Sequence, residues 1–388
     1  MTEAPVRHVR GYLPTLDGWR ALAILAVISN HDIVHRVGWV STQWFHYYGA
    51  RGVDLFFALS GILICTRLLE EEQIRGRIDV KGFYIRRVCR IQPAAWAYLA
   101  VIGLLMLFHA IGAEPRGILY SVLLIRNVLP LHFGPGSWYT AHYWSLSVEE
   151  HFYLLLPGFL LLFRRYRIRT MAAAVVLLEV WRIVVLRHPR LQFGWLLEFR
   201  TDLAVEGILL AALVALLLRR SEVLAWLQRW LRPWVAWIIA AALWSAVTFH
   251  QGRFNHFAWI CIYPPMIVST LVHPTSLTGR MLELPPLRFI GRISYSLYLW
   301  QMLFLTHYVT LPAARWRPLQ LVQTTGLRYV AMLGFSLASY YLLEKPMMRL
   351  GHRLAKPATP GRDGLEDSNQ PRAEARESGV RPETWLIS

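Results

Sequence analysis

The sequence has few charged residues and only three cysteines among its 388 positions. Charged side chains make up 17% of the chain, whereas a soluble domain carries about a quarter. Cys65, Cys89 and Cys261 show no metal-ligand spacing, so we expect neither a disulfide nor a metal site. The scarcity of charge argues against an ordinary soluble protein.

Acidic residues are particularly scarce, because 24 Asp and Glu stand against 41 Lys and Arg, a net charge of +17. In a soluble protein such an excess would suggest a nucleic-acid partner. Here the basic residues cluster in short segments between apolar runs, a pattern typical of membrane topology signals. We therefore expect a lipid bilayer as a partner and no nucleic acid.

Hydrophobic residues, in contrast, make up 55% of the chain, and many occur in runs near the roughly twenty residues needed to cross a bilayer. The 17 Trp and 17 Tyr fit aromatic belts at two membrane interfaces. The sequence predicts an all-α fold, a polytopic transmembrane helix bundle of about ten spans. The predicted spans are 21–37, 53–69, 93–112, 146–163, 170–186, 202–218, 233–249, 256–272, 288–309 and 325–343.

The positions of the basic loops predict the orientation of these spans. With a cytoplasmic N-terminus, the loops richest in Lys and Arg fall on the cytoplasmic side, and ten crossings return the C-terminus there. This register requires that 117–131 does not cross, as Arg126 within it and Pro130 near its end indicate. We predict a membrane domain over 1–350. The segment 351–388, rich in Pro, Gly, Ser and mixed charges, is predicted to be a disordered cytoplasmic tail.

Two ionisable residues in the first span stand out, because charges within a membrane usually mark function or pairing. Arg20 and His31 are eleven residues apart, a helical rise of about 16 Å, or roughly half of the hydrocarbon thickness. Arg20 could be an interfacial anchor and His31 a hydrogen-bonded core residue. A neutral imidazole inside a bundle is also a natural general base or acyl-accepting nucleophile.

Further candidates lie around the second and third spans. Asp54 opens the second span and could act in a site or serve as a first-turn helix charge. Arg86, Arg87 and Arg90 lie at i, i+1 and i+4, so a helix would group their guanidinium forks along one side. They are topology signals and, in addition, candidate ligands for phosphate groups of a cytoplasmic donor or of anionic lipids.

The fourth span begins with Ser145, Ser147, Glu149 and Glu150 in an apolar context. Adjacent residues of a helix point to different faces, so at most one of the two carboxylates need face a site. Ser147 and Glu150 also have the spacing of a helix capping box, a structural explanation for part of the pattern. In the ninth span, Tyr295 lies among small and hydroxyl residues that pack helices or support a substrate.

Taken together, these segments resemble the acyltransferase-3 family of bacterial membrane O-acyltransferases. The resemblance runs in order from about Pro14 to Pro346, nearly the whole predicted membrane domain. The motifs that carry it are Leu16-Asp17-Gly18-Trp19-Arg20 with His31, Gly52-Val53-Asp54 with Ser60-Gly61, Phe83-Tyr84-Ile85-Arg86-Arg87-Val88-Cys89-Arg90-Ile91-Gln92-Pro93, Trp144-Ser145-Leu146-Ser147-Val148-Glu149-Glu150-His151-Phe152-Tyr153, the run from Gly291 to Trp300, and Glu344-Lys345-Pro346.

The resemblance implies roles for two groups of residues. Arg20 with His31 matches the family's hallmark pair, in which the histidine is the favoured catalytic residue. Arg86, Arg87 and Arg90 match the cytoplasmic arginine group that is thought to meet acyl-coenzyme A.

The other motifs leave choices open. The serine and glutamate of the fourth-span motif match Ser145 or Ser147 and Glu149 or Glu150. After the Tyr-Leu-Trp of the ninth span the family usually has histidine, whereas this chain has Gln301, which puts a catalytic role for that position in doubt.

The function implied is transfer of an acyl group, most often acetyl, from acyl-coenzyme A to a hydroxyl of a cell-surface or lipid-linked saccharide or of a glycosylated metabolite. Acyl-coenzyme A would be a donor substrate, with no permanently bound cofactor, and the location would be the bacterial inner membrane. The alternative is a transporter that passes a polar solute without chemistry, because buried ionisable residues alone fit it equally well. A non-catalytic scaffold would leave the many intramembrane charges without an explanation.

Overall fold

The computed structural model of the chain describes residues 13–32, 49–128, 136–192, 199–249, 255–305 and 314–355. Within these ranges the regular secondary structure is helical, without a strand, which confirms the predicted all-α fold for this part of the chain. The α-helices are α1 (Pro14–His31), α2 (Gly52–Arg75), α3 (Val80–Leu107), α4 (Pro115–Val122), α5 (Trp138–Ala141), α6 (Tyr143–Leu162), α7 (Arg167–Arg187), α8 (Thr201–Ala204), α9 (Glu206–Leu217), α10 (Ser221–Trp230), α11 (Pro233–Phe249), α12 (Asn255–Val272), α13 (Leu277–Leu282), α14 (Pro285–Arg292), α15 (Ser294–Phe304), α16 (Arg317–Thr324), α17 (Leu327–Ser339) and α18 (Lys345–Leu354).

Helices α2 and α3 are each long and apolar enough to cross a membrane. Helices α10 and α11 qualify only as a pair, which is bent by 85° at the break between them, and α9 and α12 are shorter apolar helices. Each of the ten predicted stretches contains at least part of a described helix. By length and composition, however, the helices of the described ranges give two clear spans rather than ten.

Three of the predicted stretches are interrupted in the structure. The breaks fall at Val205 between α8 and α9, at Ile293 between α14 and α15, and in the π-helix Tyr340–Glu344 between α17 and α18. Average hydropathy over about twenty residues does not locate such breaks, because a few polar residues such as Glu206, Arg292 and Ser294 change the average little.

The segment 117–131, predicted not to cross, contains helix α4 as its one described helix, and its described part ends at residue 128. Eight residues of helix rise about 12 Å, too little to cross a bilayer. Arg126 is buried, and its guanidinium donates hydrogen bonds to Thr140 Oγ1 (3.3 Å) and to the backbone oxygen of Ser137 (3.5 Å). The described part of the segment therefore agrees with the prediction.

The predicted tail boundary at residue 351 falls inside α18, which runs on to Leu354. Gly351 packs so closely on Cys89 of α3 that a β-carbon would not fit, which holds this turn of helix against the bundle. The helical domain is thus slightly longer than predicted. The remainder of the predicted tail, 356–388, lies outside the described residues.

Helix α1 packs on α2, α14 and α15, and its tightest contacts involve glycine. A β-carbon at Gly291 of α14 would clash with the backbone oxygen of Asp17. A β-carbon at Gly18 would likewise clash with Leu282 of α13. Such close approach between helices is typical of small residues at membrane helix interfaces. These contacts fix α1 relative to the second half of the chain.

Candidate active site

Helix α1 carries both residues of the predicted catalytic pair, one towards each end. Arg20 lies in its second turn, where Nη1 is 3.3 Å from Oδ1 of Asp17. His31 is its last residue. A rise of about 1.5 Å per residue separates the two by about 16 Å along the helix axis, so they serve different ends of an extended site.

Gln301 of α15 orients the His31 imidazole. Gln301 is completely buried, its Nε2 donates to the backbone oxygen of Tyr298 (3.2 Å), and its Oε1 lies 3.3 Å from Nδ1 of His31. Because the amide oxygen can only accept, the His31 tautomer that forms this bond carries its proton on Nδ1, and Nε2 is the basic nitrogen. The ring of Trp138 meets the imidazole edge-on, with centroids 5.7 Å apart. Gln301, where the family usually has histidine, therefore has a positioning contact of its own.

The residue after His31 anchors this end of α1. Asp32 Oδ1 lies 3.1 Å from Nη2 of Arg328 in α17, and Tyr329 donates its hydroxyl to the same carboxylate. Arg328 is 1% exposed, and removing one partner of such a pair would leave a buried charge uncompensated. The sequence analysis missed Arg328, although an arginine in an apolar stretch is by default a candidate for function or pairing.

A cavity of about 100 Å³, the core cavity, lies between α1, α2, α3, α6 and α15. It brings together predicted site residues from four of these helices. Its polar lining comprises Arg20, Ser60, Arg87, Arg90, Ser145, Glu149, Tyr153, Ser294, Tyr295 and Tyr298.

Glu149 is the carboxylate that faces the core cavity. It accepts a hydrogen bond from the hydroxyl of Tyr153 (2.9 Å), whereas Glu150 does not line the cavity. Successive helix residues point about 100° apart, so α6 can present only one of the two. The sequence left this choice open, and the packing of α6 makes it.

Arg87 and Arg90 differ from Arg86 in their partners. Arg86 Nη2 lies 3.2 Å from Oε2 of Glu71, so its charge is compensated within the protein. Arg87 and Arg90 have no carboxylate within 4.0 Å among the residues that the structure describes, and the Arg87 guanidinium lies 4.7 Å from the ring centroid of Tyr153. Two uncompensated guanidinium groups in a cavity suit a phosphate-bearing ligand.

A second cavity of about 440 Å³, the entrance cavity, adjoins the core cavity. It extends along α2 and α3 as far as α18, where Arg86 and His352 line it. The two cavities, which share part of their lining, are together called the basic path. The lining residues that they share are Arg20, Leu63, Ile64, Arg87 and Arg90.

The path ends at a hydrogen bond between Ser145 and Tyr298. Their hydroxyl oxygens are 2.5 Å apart, and both also reach the backbone oxygen of His142, at 3.2 and 2.9 Å. His31 lines neither cavity. It lies against Gln301, about one helical turn along α15 from Tyr298. Tyr298 is therefore the lining residue of the core cavity that comes nearest to Gln301 along α15.

Besides His31, three predicted site residues line neither cavity, namely Asp54, Ser147 and Glu150. Asp54 pairs with Arg51 (3.3 Å) at the start of α2 and lines neither cavity. Ser147 is buried in α6 and donates to the backbone oxygen of Tyr143 (2.8 Å). The predicted capping box of Ser147 with Glu150 is wrong, because α6 already begins at Tyr143 and Ser147 lies in its second turn.

Tyr295 lines the core cavity as a supporting residue. Its hydroxyl donates to the backbone oxygen of Ile91 (2.8 Å), which joins α15 to α3. The sequence analysis did not single out Tyr298, which closes the path and lies one turn further in the same motif. The sequence feature that could have identified Tyr298 is the run of hydroxyl residues at the start of α15.

Another basic cavity, of about 770 Å³, lies on the opposite side of α2. Arg167 there is held by Glu72 at 2.6 Å, and Arg164 reaches the same carboxylate at 3.1 Å. Its described lining includes no residue of α1, α3 or α15, so it does not lead towards His31. Its arginines are Arg164, Arg165, Arg167, Arg169, Arg219 and Arg220.

Comparison with known proteins identifies relatives over most of the chain. Peptidoglycan O-acetyltransferase OatA of Listeria monocytogenes is 27% identical over 381 residues, 89% of this chain and 57% of its own length. A Bacillus subtilis protein provisionally named a peptidoglycan O-acetyltransferase is 26% identical, over 88% of this chain and 56% of its own. A Staphylococcus aureus protein provisionally named an O-acetyltransferase is 29% identical over 74% of this chain and 50% of its own length. The chain thus spans about half the length of the curated relatives it matches. No solved structure matches the chain.

The family comparison covers the whole candidate site. The sequence model of the acyltransferase-3 family, described as an acyltransferase domain, matches residues 13–345. This range includes α1 with Arg20 and His31, both cavities' arginines and the Gln301 contact. The resemblance seen in the motifs is confirmed, and the chain belongs to the acyltransferase-3 family.

Proposed function

We propose that this protein is a membrane O-acyltransferase that moves an acyl group from acyl-coenzyme A to a hydroxyl of a cell-envelope saccharide. The observation that carries the proposal is the basic path of the entrance and core cavities. Its Arg87 and Arg90 have no ion pair within the described part of the chain, and its lining residue Tyr298 is about one turn along α15 from Gln301, which contacts His31. The relatives' names support acetyl as the acyl group and peptidoglycan as one class of acceptor. Lipid-linked saccharides and glycosylated metabolites offer the same hydroxyl chemistry.

In this proposal the donor binds from the basic end of the path. Arg87 and Arg90 hold its phosphate groups through charge-assisted hydrogen bonds, and Arg86, already paired with Glu71, contributes less. The acyl-pantetheine arm extends along the core cavity between Arg20 and Glu149. Donor binding separates Ser145 from Tyr298 and brings the thioester to His31.

The transfer itself needs one base in a fixed tautomer. The acceptor hydroxyl gives its proton to His31 Nε2 as its oxygen attacks the thioester carbonyl carbon. The new C–O bond forms, the C–S bond breaks, and His31 returns the proton to the departing thiolate. In the alternative route Nε2 attacks first and forms an acyl-histidine, which the acceptor then resolves. Both routes use the tautomer that Gln301 favours.

The remaining predicted residues take supporting roles. Arg20 and Glu149 form opposite polar walls of the core cavity and position the donor. Asp54 and Ser147, which lie outside both cavities, stabilise the helices that carry the site. Glu150 also lies outside the lining, and the chemistry does not require it.

We also propose ten spans in the bacterial inner membrane, with both termini cytoplasmic. A reporter fused after residue 355 is expected to be active only in its cytoplasmic form, since the loops richest in Lys and Arg then lie inside. A fusion between α11 and α12 is the matched control and should report the outside. A C-terminal fusion that reports the outside would show an odd number of crossings and a wrong register.

The function is tested by thioester turnover in proteoliposomes. Purified protein is supplied with acetyl-coenzyme A and a soluble oligosaccharide, and we expect free thiol and acetylated saccharide in equal amounts, measured by thiol assay and mass spectrometry. The transporter alternative predicts flux of solute without thioester turnover. That outcome would contradict the proposed function.

A further inference from the structure

A second histidine, His142, lies in the same part of the bundle as His31. It joins α5 to α6 and is 3% exposed. Trp138, which meets the His31 ring, precedes His142 by four residues in one helical run, so the two side chains project to the same side. Tyr298, whose ring centroid is 5.5 Å from that of His142, is about one turn along α15 from Gln301, which contacts His31.

Neither ring nitrogen of His142 has a hydrogen-bond partner within the described part of the chain. Three tyrosines surround the ring, Tyr98, Tyr143 and Tyr298, with ring centroids 5.3, 4.9 and 5.5 Å away. Their hydroxyls donate instead to backbone oxygens, at 2.7, 2.7 and 2.9 Å. The imidazole is thus enclosed by aromatic rings whose polar atoms are already engaged. A buried polar group of this kind calls for an explanation.

Packing alone does not explain an imidazole here. A phenyl or aliphatic side chain would fill an aromatic enclosure without burying two unpaired polar atoms. The two hydrogen bonds that Ser145 and Tyr298 make at this residue go to its backbone oxygen, so they do not need the side chain. The packing therefore gives neither ring nitrogen a hydrogen-bonding role within the described part of the chain.

We propose that His142 is a further catalytic residue, whose ring N–H donates a hydrogen bond to the carbonyl oxygen of the acyl group. The inference rests on the proposed acyl transfer and adds the group that stabilises its intermediate. His142 adjoins the Ser145–Tyr298 contact, which is where the thioester leaves the core cavity. Its partner in the reaction is His31, which contacts Gln301 in the same helix, α15.

The step balances without a further reactant. As the acceptor oxygen attacks, the carbonyl electron pair moves onto oxygen, and the oxyanion accepts the hydrogen bond from His142. The pair returns as the C–S bond breaks, and the thiolate takes the proton that His31 removed from the hydroxyl. His142 keeps its proton throughout. His31 thus transfers the proton, and His142 stabilises the negative charge that develops on the carbonyl oxygen.

The test uses full-length protein in proteoliposomes with acetyl-coenzyme A and the oligosaccharide, and the variants His142→Phe, His142→Leu and His142→Gln. Loss of one such donor lowers kcat by about 10²–10³-fold. We expect that loss in the Phe and Leu variants and a smaller loss in the Gln variant, whose amide retains an N–H. Donor affinity, measured by calorimetry, should stay within about twofold, because the arginines lie on the other side of the Ser145–Tyr298 contact.

His188→Phe is the matched control, since it makes the same exchange at an exposed histidine that lines neither cavity and should leave kcat unchanged. Wild-type kcat in the Phe or Leu variant would overturn the proposed role of His142 and leave the proposed function intact. Loss of donor binding together with kcat in all three variants would overturn it in favour of a structural role. Absence of turnover in the wild type would overturn both this inference and the proposed function.

Discussion

Replacing His31 by Ala is expected to lower acyl transfer by about 10²–10⁴-fold, the usual contribution of a general base. The physical reason is that the variant loses the only ring nitrogen that the Gln301 contact leaves positioned to take the hydroxyl proton. If the acyl-histidine route operates, the loss is larger still, because no intermediate can form. The measurement is thiol release with acetyl-coenzyme A and oligosaccharide in proteoliposomes.

The control for this variant is His188→Ala, an exposed histidine after α7 and remote from both cavities. It should retain full activity. Donor affinity should be unchanged in both variants, because His31 lies beyond the Ser145–Tyr298 contact. Activity within a few-fold of wild type in His31→Ala would return His31 to the role of a hydrogen-bonded core residue.

Replacing Arg87 or Arg90 by Lys should raise the KM for acyl-coenzyme A about ten- to a hundred-fold. Lysine keeps the charge but lacks the planar fork, and loss of one charge-assisted contact costs about 1.5–3 kcal/mol. The KM for the acceptor should change much less. The effect of Arg86→Lys should be the smallest of the three, because Glu71 already holds that guanidinium at 3.2 Å.

Arg220→Lys, in the basic cavity on the other side of α2, is the matched control for charge and topology. If the arginines serve only to orient the chain, all four lysine variants should behave alike, since the charge is conserved. Unchanged donor kinetics in Arg87→Lys and Arg90→Lys would therefore leave the donor site unlocated. A rise in KM for Arg220→Lys alone would move the donor site to the other cavity.

Local sequence pattern was sufficient for much of the fold. Apolar runs of about twenty residues predicted where helices occur, and Arg126 and Pro130 indicated a segment that forms only the short helix α4 in its described part. The sequence pattern did not predict where a helix is interrupted. The break at Ile293 and the π-helix Tyr340–Glu344 depend on local backbone geometry, which average hydropathy does not report.

The candidate site was predictable to the extent that one helix carries it. Arg20 and His31 were identified as ionisable residues in an apolar helix, and the family resemblance implied their roles. The choice of Glu149 over Glu150 required the packing of α6, and the pairing of Arg86 but not Arg87 required the position of Glu71.

Contacts between distant residues were outside the reach of the sequence. Gln301 is 270 positions from the imidazole that it orients, and no local pattern links the two. His142 was missed for another reason. Its significance lies in what its ring nitrogens do not contact, which only coordinates reveal.

The contacts of α1 with distant parts of the chain determine when, during synthesis, this part of the fold can form. Trp19 bonds to a residue 251 positions later, His31 to one 270 later, and Asp32 to one 297 later. Helix α1 is therefore synthesised and inserted long before its partners. Until the last third of the chain inserts, its polar groups must be solvated by lipid headgroups or by other helices. Assembly of the candidate site is therefore a late event in biosynthesis. If the proposed function holds, a nascent or truncated chain has no formed site with which to consume the donor.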